Sequence, residues 1–442
     1  MKPSPSNRPA LTGGDLRAIA AGLRRANAAL ARACPGDPGD RQPIQTYYTG
    51  AQFFHAALAP ELGAQALATL EQYAPDAAAF ARALDLKPVE GDPIAFAKAI
   101  RSRVVEKLRR EPVEDLRIDF EDGYGNRPDA EEDGDARSAA EEVARGAAAG
   151  TLPPFIGIRI KPLSQELQAR SLRTLDLFVS TLARATGKQL VPHLFITIPK
   201  VMMPGHVTAV ARACDRLERR LGVRRGTVKL EIMIETPQSI LAVDGSSALR
   251  ALVAAGGGRV SGAHFGTYDY TALCGITAAW QHLRHAACDF AKHLMQVSLA
   301  QSGVRLSDGS TNVLPVGSPE AVHRAWQQHA GDVTHSLING FYQGWDLHPA
   351  QLPTRYAAVF AFYASARPAA TARLRKFVEN ASQATLAGDV FDDAATGQAL
   401  LNFFARGLSS GALTLDEALE TGLTRDDFHA KSFLKILESR RL

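Results

Sequence analysis

The sequence predicts an α/β protein built on a (β/α)8 barrel, with an N-terminal helical extension, an insertion after the first strand and a C-terminal helical region. Three observations predict it. Short runs of period-two alternation recur along the chain, each followed by apolar residues at helical spacing, the order of a parallel sheet. About eight such strand–helix units fall between residues 44 and 350, the number that closes a barrel. Charged residues stand at or just past strand C-terminal ends: Glu121, Arg159, Lys200, Glu235 and Asp269. That rim is where barrels of this kind carry their chemistry.

The first element is a helix over Asp15–Ala33, with Leu16, Ile19, Leu23 and Leu30 at helical spacing, ended by CPGDPGD at 34–40. Ile44–Gly50 (IQTYYTG) reads as the first strand. Residues 51–112 are alanine-rich and helical, interrupted by Pro60, Pro75, Pro88 and Pro93. In LRIDFEDGYGNRP, Leu116, Ile118 and Phe120 point to one face and Arg117, Asp119 and Glu121 to the other, before Asp122-Gly123 turns the chain. A helix over Asp129–Ala149 follows.

Phe155–Ile160 (FIGIRI) repeats the design, with Arg159 on the polar face; a helix spans Leu167–Arg184. His193–Lys200 (HLFITIPK) repeats it again, ahead of a helix over Val207–Leu221. In VKLEIMIETPQSI, Leu230, Ile232 and Ile234 alternate with Glu231, Met233 and Glu235, and Thr236-Pro237 offers a cap with proline at the first helical position. A helix near Ser239–Ala255 precedes the strand Val260–Phe265, with Asp269 in the loop beyond. Helix Trp280–Ser302, strand Val304–Ser307, helix Pro319–Ala330 and the segment Gly340–His348 complete the barrel. From Gln351 the chain reads as helical, with an acidic turn at Gly388–Asp393.

The chain of 442 residues exceeds the ~250 typical of one barrel, so we divide it into an extension (1–40), a barrel (41–355) and a C-terminal region (356–442). The formal net charge of +4 suits a small anionic molecule and does not argue for nucleic acid. Cys34, Cys214, Cys274 and Cys288 have no CxxC spacing, which reads as reduced thiols. The opening MKPSPSNRPALTGGD has no apolar h-region, and no run approaches the ~20 apolar residues that span a bilayer. The expectation is a soluble, cytoplasmic protein with no membrane partner.

Glu235 and Asp269 lie on successive strands, so their carboxylates can share one hard cation; the alternative is that each is a capping or surface acid. Arg159 is suited to a carboxylate or a developing enolate oxygen, or else to a buried ion pair with Glu121 or Asp122. Lys200 is either a Schiff-base lysine or a partner for Glu235 or Glu121, the latter being the better fit. His264, His348 and the group His282, His285, Cys288 and His293 read as structural. Gly256–Gly258 does not follow a strand, which argues against a dinucleotide fold, and no GxxxxGK[ST] is present.

These motifs resemble a known superfamily. DFEDGYGNRPDAEEDGDAR is similar to the second strand "LDLEDAV" of the citrate lyase beta subunit family, GIRIKP to its "VRVN" strand and TIPKV to its "LPKV" strand. EIMIETPQSIL resembles "IETARGVL", HFGTYDYTALCGI resembles "FGxxDLxxxLG", and GFYQGWDLHPAQL resembles the closing "GFDGxWVxHPxQI" strand shared with malyl-CoA lyases. The matches run in order from about 115 to 350. Malate synthases and HpcH/HpaI aldolases are more remote members, and this chain would be a divergent one.

The resemblance implies a carbon–carbon lyase, aldolase or synthase acting through an enolate on a 2-oxoacid of the pyruvate, glyoxylate or oxaloacetate type. It implies Mg²⁺, with Mn²⁺ as a substitute, held by Glu235 and Asp269, and an acyl-CoA thioester or an aldehyde as the second substrate. Arg159 would bind the oxoacid and stabilise the enolate, supported by Glu121 and Asp122; Gly266 and Thr267 would contribute to oxoacid binding. Asp392 would be the catalytic base, with Asp393 the competing alignment, on a segment such homo-oligomers often contribute across a subunit contact. The first strand lacks the family's Arg, and Gly344 stands where relatives often carry Lys. Two other classes fit the barrel: a phosphoenolpyruvate/pyruvate-type phosphotransferase and a non-catalytic oxoacid-binding protein.

Overall fold

The computed structural model describes residues 10–36, 40–88, 91–379, 385–387, 390–392, 394–430, 432, 433 and 436. Eight parallel strands form the sheet: β1 (Gln45–Gly50), β2 (Asp115–Asp119), β3 (Phe155–Arg159), β4 (Leu194–Ile198), β5 (Lys229–Ile234), β6 (Val260–Phe265), β7 (Arg305–Ser307) and β8 (Gly344–Asp346). They are hydrogen-bonded in the order β7-β6-β5-β4-β3-β2-β1-β8. The seam between β7 and β8 is drawn together by Asp308 N donating to Gln343 O at 2.8 Å and Trp345 N to Gly309 O at 3.2 Å. The result is the (β/α)8 barrel that the alternation predicts.

Strands β2 to β5 follow the predicted parity. Leu116, Ile118 and Phe120 are fully buried in the layer between sheet and helices, as are Ile156, Ile158, Leu194, Ile196, Leu230 and Ile232. The opposite parity puts polar groups inside the barrel, where each needs a partner. Arg117, fully buried, donates to Asp115 at 2.7 Å and to Glu231 at 2.8 Å; Thr46 donates to Asp115 and Thr197 to Glu231. Burial, with the charge of Glu231, raises Asp115. Burial would raise Glu231 as well, but Arg117 and His264 hold it low. This charged layer makes the barrel a filled core rather than a pore.

The helices on the outside are α5 (Asp129–Ala149), α6 (Gln168–Ala185), α7 (Pro204–Leu221), α8 (Pro237–Ile240), α9 (Leu249–Ala255), α10 (Thr267–Leu273), α11 (Ala286–Leu299) and α12 (Pro319–Ile338). Between β1 and β2 the chain makes α2 (Leu58–Tyr73), α3 (Ala77–Leu84) and α4 (Pro93–Arg110), packed on α12 and on the long α13 (Leu352–Glu379). The extension is one helix, α1 (Gly13–Ala33). After α13 come α14 (Ala394–Ser410), α15 (Leu415–Leu419) and α16 (Arg425–Ala430).

Several expectations are revised. The helix expected near Ser239–Ala255 is two pieces, because Leu241 and Ser247 bridge across a turn between α8 and α9. The helix expected from Trp280 starts only at Ala286, where His285 caps it by accepting from Ala287 N at 3.1 Å. Asp269 is not in a loop: it lies in the first turn of α10, where a carboxylate suits the positive helix end. The C-terminal region is not wholly helical, since β9 (Thr385–Ala387) and β10 (Val390–Asp392) pair antiparallel.

Candidate functional site

The turn after β2 builds the first side of the site. Asp119, the last residue of β2, accepts from Glu121 N at 2.9 Å and from Gly123 N at 2.7 Å, which folds the turn back over the strand end. Both Asp119 oxygens also accept from Arg159 at the end of β3, Nε to Oδ1 at 2.7 Å and Nη2 to Oδ2 at 2.5 Å. This two-point pair fixes the guanidinium plane. The remaining Arg159 nitrogen, Nη1, lies 2.9 Å from Glu121 Oε2 and 3.7 Å from Asp122 Oδ2. Burial would lower the Arg159 pKa, but Asp119 and Glu121 raise it well above its usual value.

The turn after β4 supplies a second cation. Lys200 takes a left-handed backbone conformation (φ 47°) and points its amide at Glu235, donating to Oε1 at 2.6 Å. Its ammonium pairs with Glu121 and lies 3.5 Å from Asp122 and 3.4 Å from Asp269. Glu121, Asp122 and Asp269, from the rims of β2 and β6, thus converge on one lysine from β4. Burial would lower the Lys200 pKa; Glu121 and Glu235 raise it instead. Burial raises Glu121, whereas Asp122, though partly desolvated, is lowered by Arg159 and Lys200.

Glu235 follows β5 and is 1% exposed. Burial, then the charge of Asp269, pushes its carboxyl up to about 8. Gly266 at the end of β6 packs directly on it: a Cβ there would stand 2.4 Å from Glu235 Oε2. The next turn is anchored by Thr236, which donates to Val201 O at 2.8 Å and caps α8 by accepting from Ser239 N.

One layer deeper, the Tyr48 ring stacks on Trp345 at 4.6 Å and lies 5.0 Å from the Arg159 guanidinium. Tyr48 Oη and Trp345 Nε1 are buried without a hydrogen-bond partner among the described residues. They are donors available to an oxygen-rich molecule that enters this end.

Glu121, Asp122, Arg159, Lys200, Glu235, Gly266 and Asp269 therefore share one end of the barrel. Thr267 begins α10, is buried, and has its hydroxyl against Gly309, where a Cβ would lie 2.6 Å away. Asp392 ends β10, but its side chain lies outside the described residues, as does Asp393. Asp119 and Tyr48 were not singled out from the sequence. For Asp119 the signal was present in its inward parity between Arg117 and Glu121; for Tyr48 there was none, because its neighbour Tyr47 is equally aromatic and faces the opposite way.

Glu235, fully buried and raised in pKa partly by the charge of Asp269, and Asp269 itself offer hard oxygen donors of the kind that suits a divalent cation such as Mg²⁺. The glycine beside Glu235 Oε2 keeps that oxygen clear of a side chain. Among the described residues, no group of three or more His, Cys, Asp or Glu forms a preassembled metal cage. A cation held here would take part of its coordination from substrate or water, as Mg²⁺ commonly does.

No helix among the described residues is long and apolar enough to cross a membrane. No curated protein matches the chain by sequence. Among solved structures, a citrate lyase of Burkholderia xenovorans LB400 is similar over 74% of this chain and 93% of its own, with a TM-score of 0.56 and 19% identity. The Mycobacterium tuberculosis protein CitE in complex with magnesium, acetoacetate and coenzyme A aligns over 84% of this chain and 99% of its own, with a TM-score of 0.46 and 14% identity. The magnesium/glyoxylate complex of Haloferax volcanii malate synthase aligns over 85% and 99%, with a TM-score of 0.46 and 13% identity. At 19% identity the likeness to the citrate lyase is one of fold. A family model described as a domain of unknown function, DUF6986, matches residues 23–436, and the chain belongs to that family.

Proposed function

We propose that this protein is a Mg²⁺-dependent carbon–carbon lyase or synthase that acts on a 2-oxoacid through an enolate. The observation that carries the reading is the meeting of Glu235 and Asp269 with Arg159 and Lys200 over the C-terminal ends of β2 to β6. The resemblance of the strand-end motifs and the barrel shared with a citrate lyase support it. The second substrate in this reading is an acyl-CoA thioester, with an aldehyde as the alternative.

Glu235 and Asp269 would hold the metal. Magnesium, when bound, supplies Lewis-acid stabilisation of negative charge developing on the oxoacid. Everything else falls to the chain. Asp119 takes Nε and one N–H of Nη2 of Arg159, and Glu121 lies 2.9 Å from Nη1, so a substrate oxygen would meet the remaining N–H groups of Nη1 and Nη2. A fixed guanidinium edge stabilises developing charge without reorganising at the moment of reaction. Glu121 holds Lys200 and Nη1 of Arg159 together, keeping both cations in register. Asp122, at the solvent edge, is placed to orient an incoming molecule, and Gly266 gives Glu235 its space. Asp392 is our candidate for the base that moves the proton.

The test is a screen of pyruvate, glyoxylate and oxaloacetate, each with and without CoA thioesters, in Mg²⁺ and then in EDTA. The reading predicts saturable turnover of at least one combination that EDTA abolishes. Turnover indifferent to EDTA, or none with any combination, would contradict it.

A further inference from the structure

Helix α1 is well made and packs its apolar stripe on nothing among the described residues. Its N-terminus is closed by a capping box, Thr12 Oγ1 accepting from Asp15 N at 3.1 Å and Asp15 accepting from Thr12 N at 2.8 Å. Yet none of its 21 residues is buried. Leu16, Ile19, Leu23 and Leu30 lie between 52% and 62% exposed. In proteins most helical stability comes from packing an amphipathic face rather than from propensity, and here that face is open. Its far end is tied down: Arg250 donates to Ala33 O at 3.2 Å and Ala300 O at 3.1 Å, and Gly36 N donates to Gln301 O at 3.0 Å. That root lies on the approach to β7, at the barrel end opposite the candidate site, and the helix leaves the barrel from there.

The sequence of the helix says what covers it. Leu16, Leu23 and Leu30 recur every seven residues, with Ile19, Ala26 and Ala33 at the intervening seam positions. The flanking positions are Asp15, Ala20, Gly22, Asn27 and Ala29, small or neutral apart from Asp15 in the first turn. All four basic residues, Arg17, Arg24, Arg25 and Arg32, lie off the seam. A partner of opposite charge would find no cation at the flanks to pair with. An identical helix meets no repulsion there, and the small flanks let two backbones approach closely.

We infer that α1 pairs with α1 of a second copy of this chain, making a homodimer through an antiparallel two-helix seam. A two-fold axis between Leu23 and Ala26 sets Leu23 against Ala26, Leu16 against Ala33 and Leu30 against Ile19, large residues mostly opposite small ones. The interface is isologous. Because the helices run antiparallel, the two barrels sit at opposite ends of the pair. The proposed metal-binding ends of the barrels, with Glu235 and Asp269, face away from it.

The experiment is sedimentation velocity of the full chain across a concentration series, at low and high salt. The inference predicts a dimer at micromolar concentration that survives ~1 M salt, since no charge lies on the seam. Leu23→Glu with Leu30→Glu should give a monomer whose thermal unfolding and far-UV circular dichroism otherwise match the parent. Leu23→Ala, which keeps the helix, should raise the dissociation constant by about tenfold or more. Arg24→Glu, off the seam, should leave the dimer intact. A parent that stays monomeric at tens of micromolar, or a Leu23→Glu/Leu30→Glu variant that remains dimeric, would overturn it.

Discussion

Asp119 and Arg159 form a two-point ion pair between the ends of adjacent strands, and the same aspartate accepts the amides of Glu121 and Gly123. One buried carboxylate therefore sets both the orientation of the guanidinium and the path of the turn beside it. Asp119→Ala would leave a buried cation with Glu121 as its main counter-charge and unpin that turn. The expected loss is about 3–5 kcal/mol of stability, read as a lower urea midpoint with an unchanged slope. A variant within a fraction of a kcal/mol of the parent would show that the pair does not organise the turn.

Gly266→Ala tests the fit around Glu235. The added methyl would stand 2.4 Å from Oε2, so the carboxylate must move. Because outer groups that position a metal ligand typically matter 10–100-fold, we expect Mg²⁺ affinity to fall by at least about tenfold while the far-UV circular dichroism is kept. Calorimetric titration of parent and variant decides it.

Gly157 has a steric reason rather than a chemical one. A Cβ there would lie 2.1 Å from Phe195 O and 2.8 Å from Arg117 Nη1, in the middle of the charged layer. Overpacking a filled interior costs about 1–3 kcal/mol, and Gly157→Ala should reach at least that, since the nearest atom is backbone. Thermal unfolding of the variant gives the answer.

Glu111 provides a pH-dependent contribution away from the site. Burial would raise its carboxyl, but Arg41 and Lys107 bring it from 4.5 down to about 2. A lowered folded pKa means that the stabilisation is present above about 4.5 and is lost as pH falls through about 2. The parent should lose stability between those values faster than Glu111→Gln does. Parallel acid dependences in urea melts at each pH would contradict this.

How much of this was legible in the sequence follows from physics. Strand parity was readable because a strand has two faces with different solvents, and it placed Glu121, Arg159 and Glu235 on the inner face correctly. Lys200 was readable as a carboxylate partner because it follows a strand end beside two acids; its ammonium pairs with Glu121, and its amide is held by Glu235. Arg159's main partner was not readable: Glu121 and Asp122 were expected, but the register that pairs Asp119 with Arg159 gives Asp119 the closest approach. The break at residues 241–247 is signalled by Asp244-Gly245, a turn pair whose glycine takes φ 79°, whereas the late start of the helix at Ala286 rests on a cap from His285, a residue type with no strong capping signature. The apolar stripe of α1 was visible as a helix signal, but only the fold shows it left uncovered.

The account's central claim is that Glu235 and Asp269 together hold a divalent cation, and calorimetric titration with Mg²⁺ tests it most directly. The parent should bind one ion per chain, and Glu235→Gln and Asp269→Asn should each abolish binding while unfolding as cooperatively as the parent. Unchanged Mg²⁺ binding in both variants would contradict the claim.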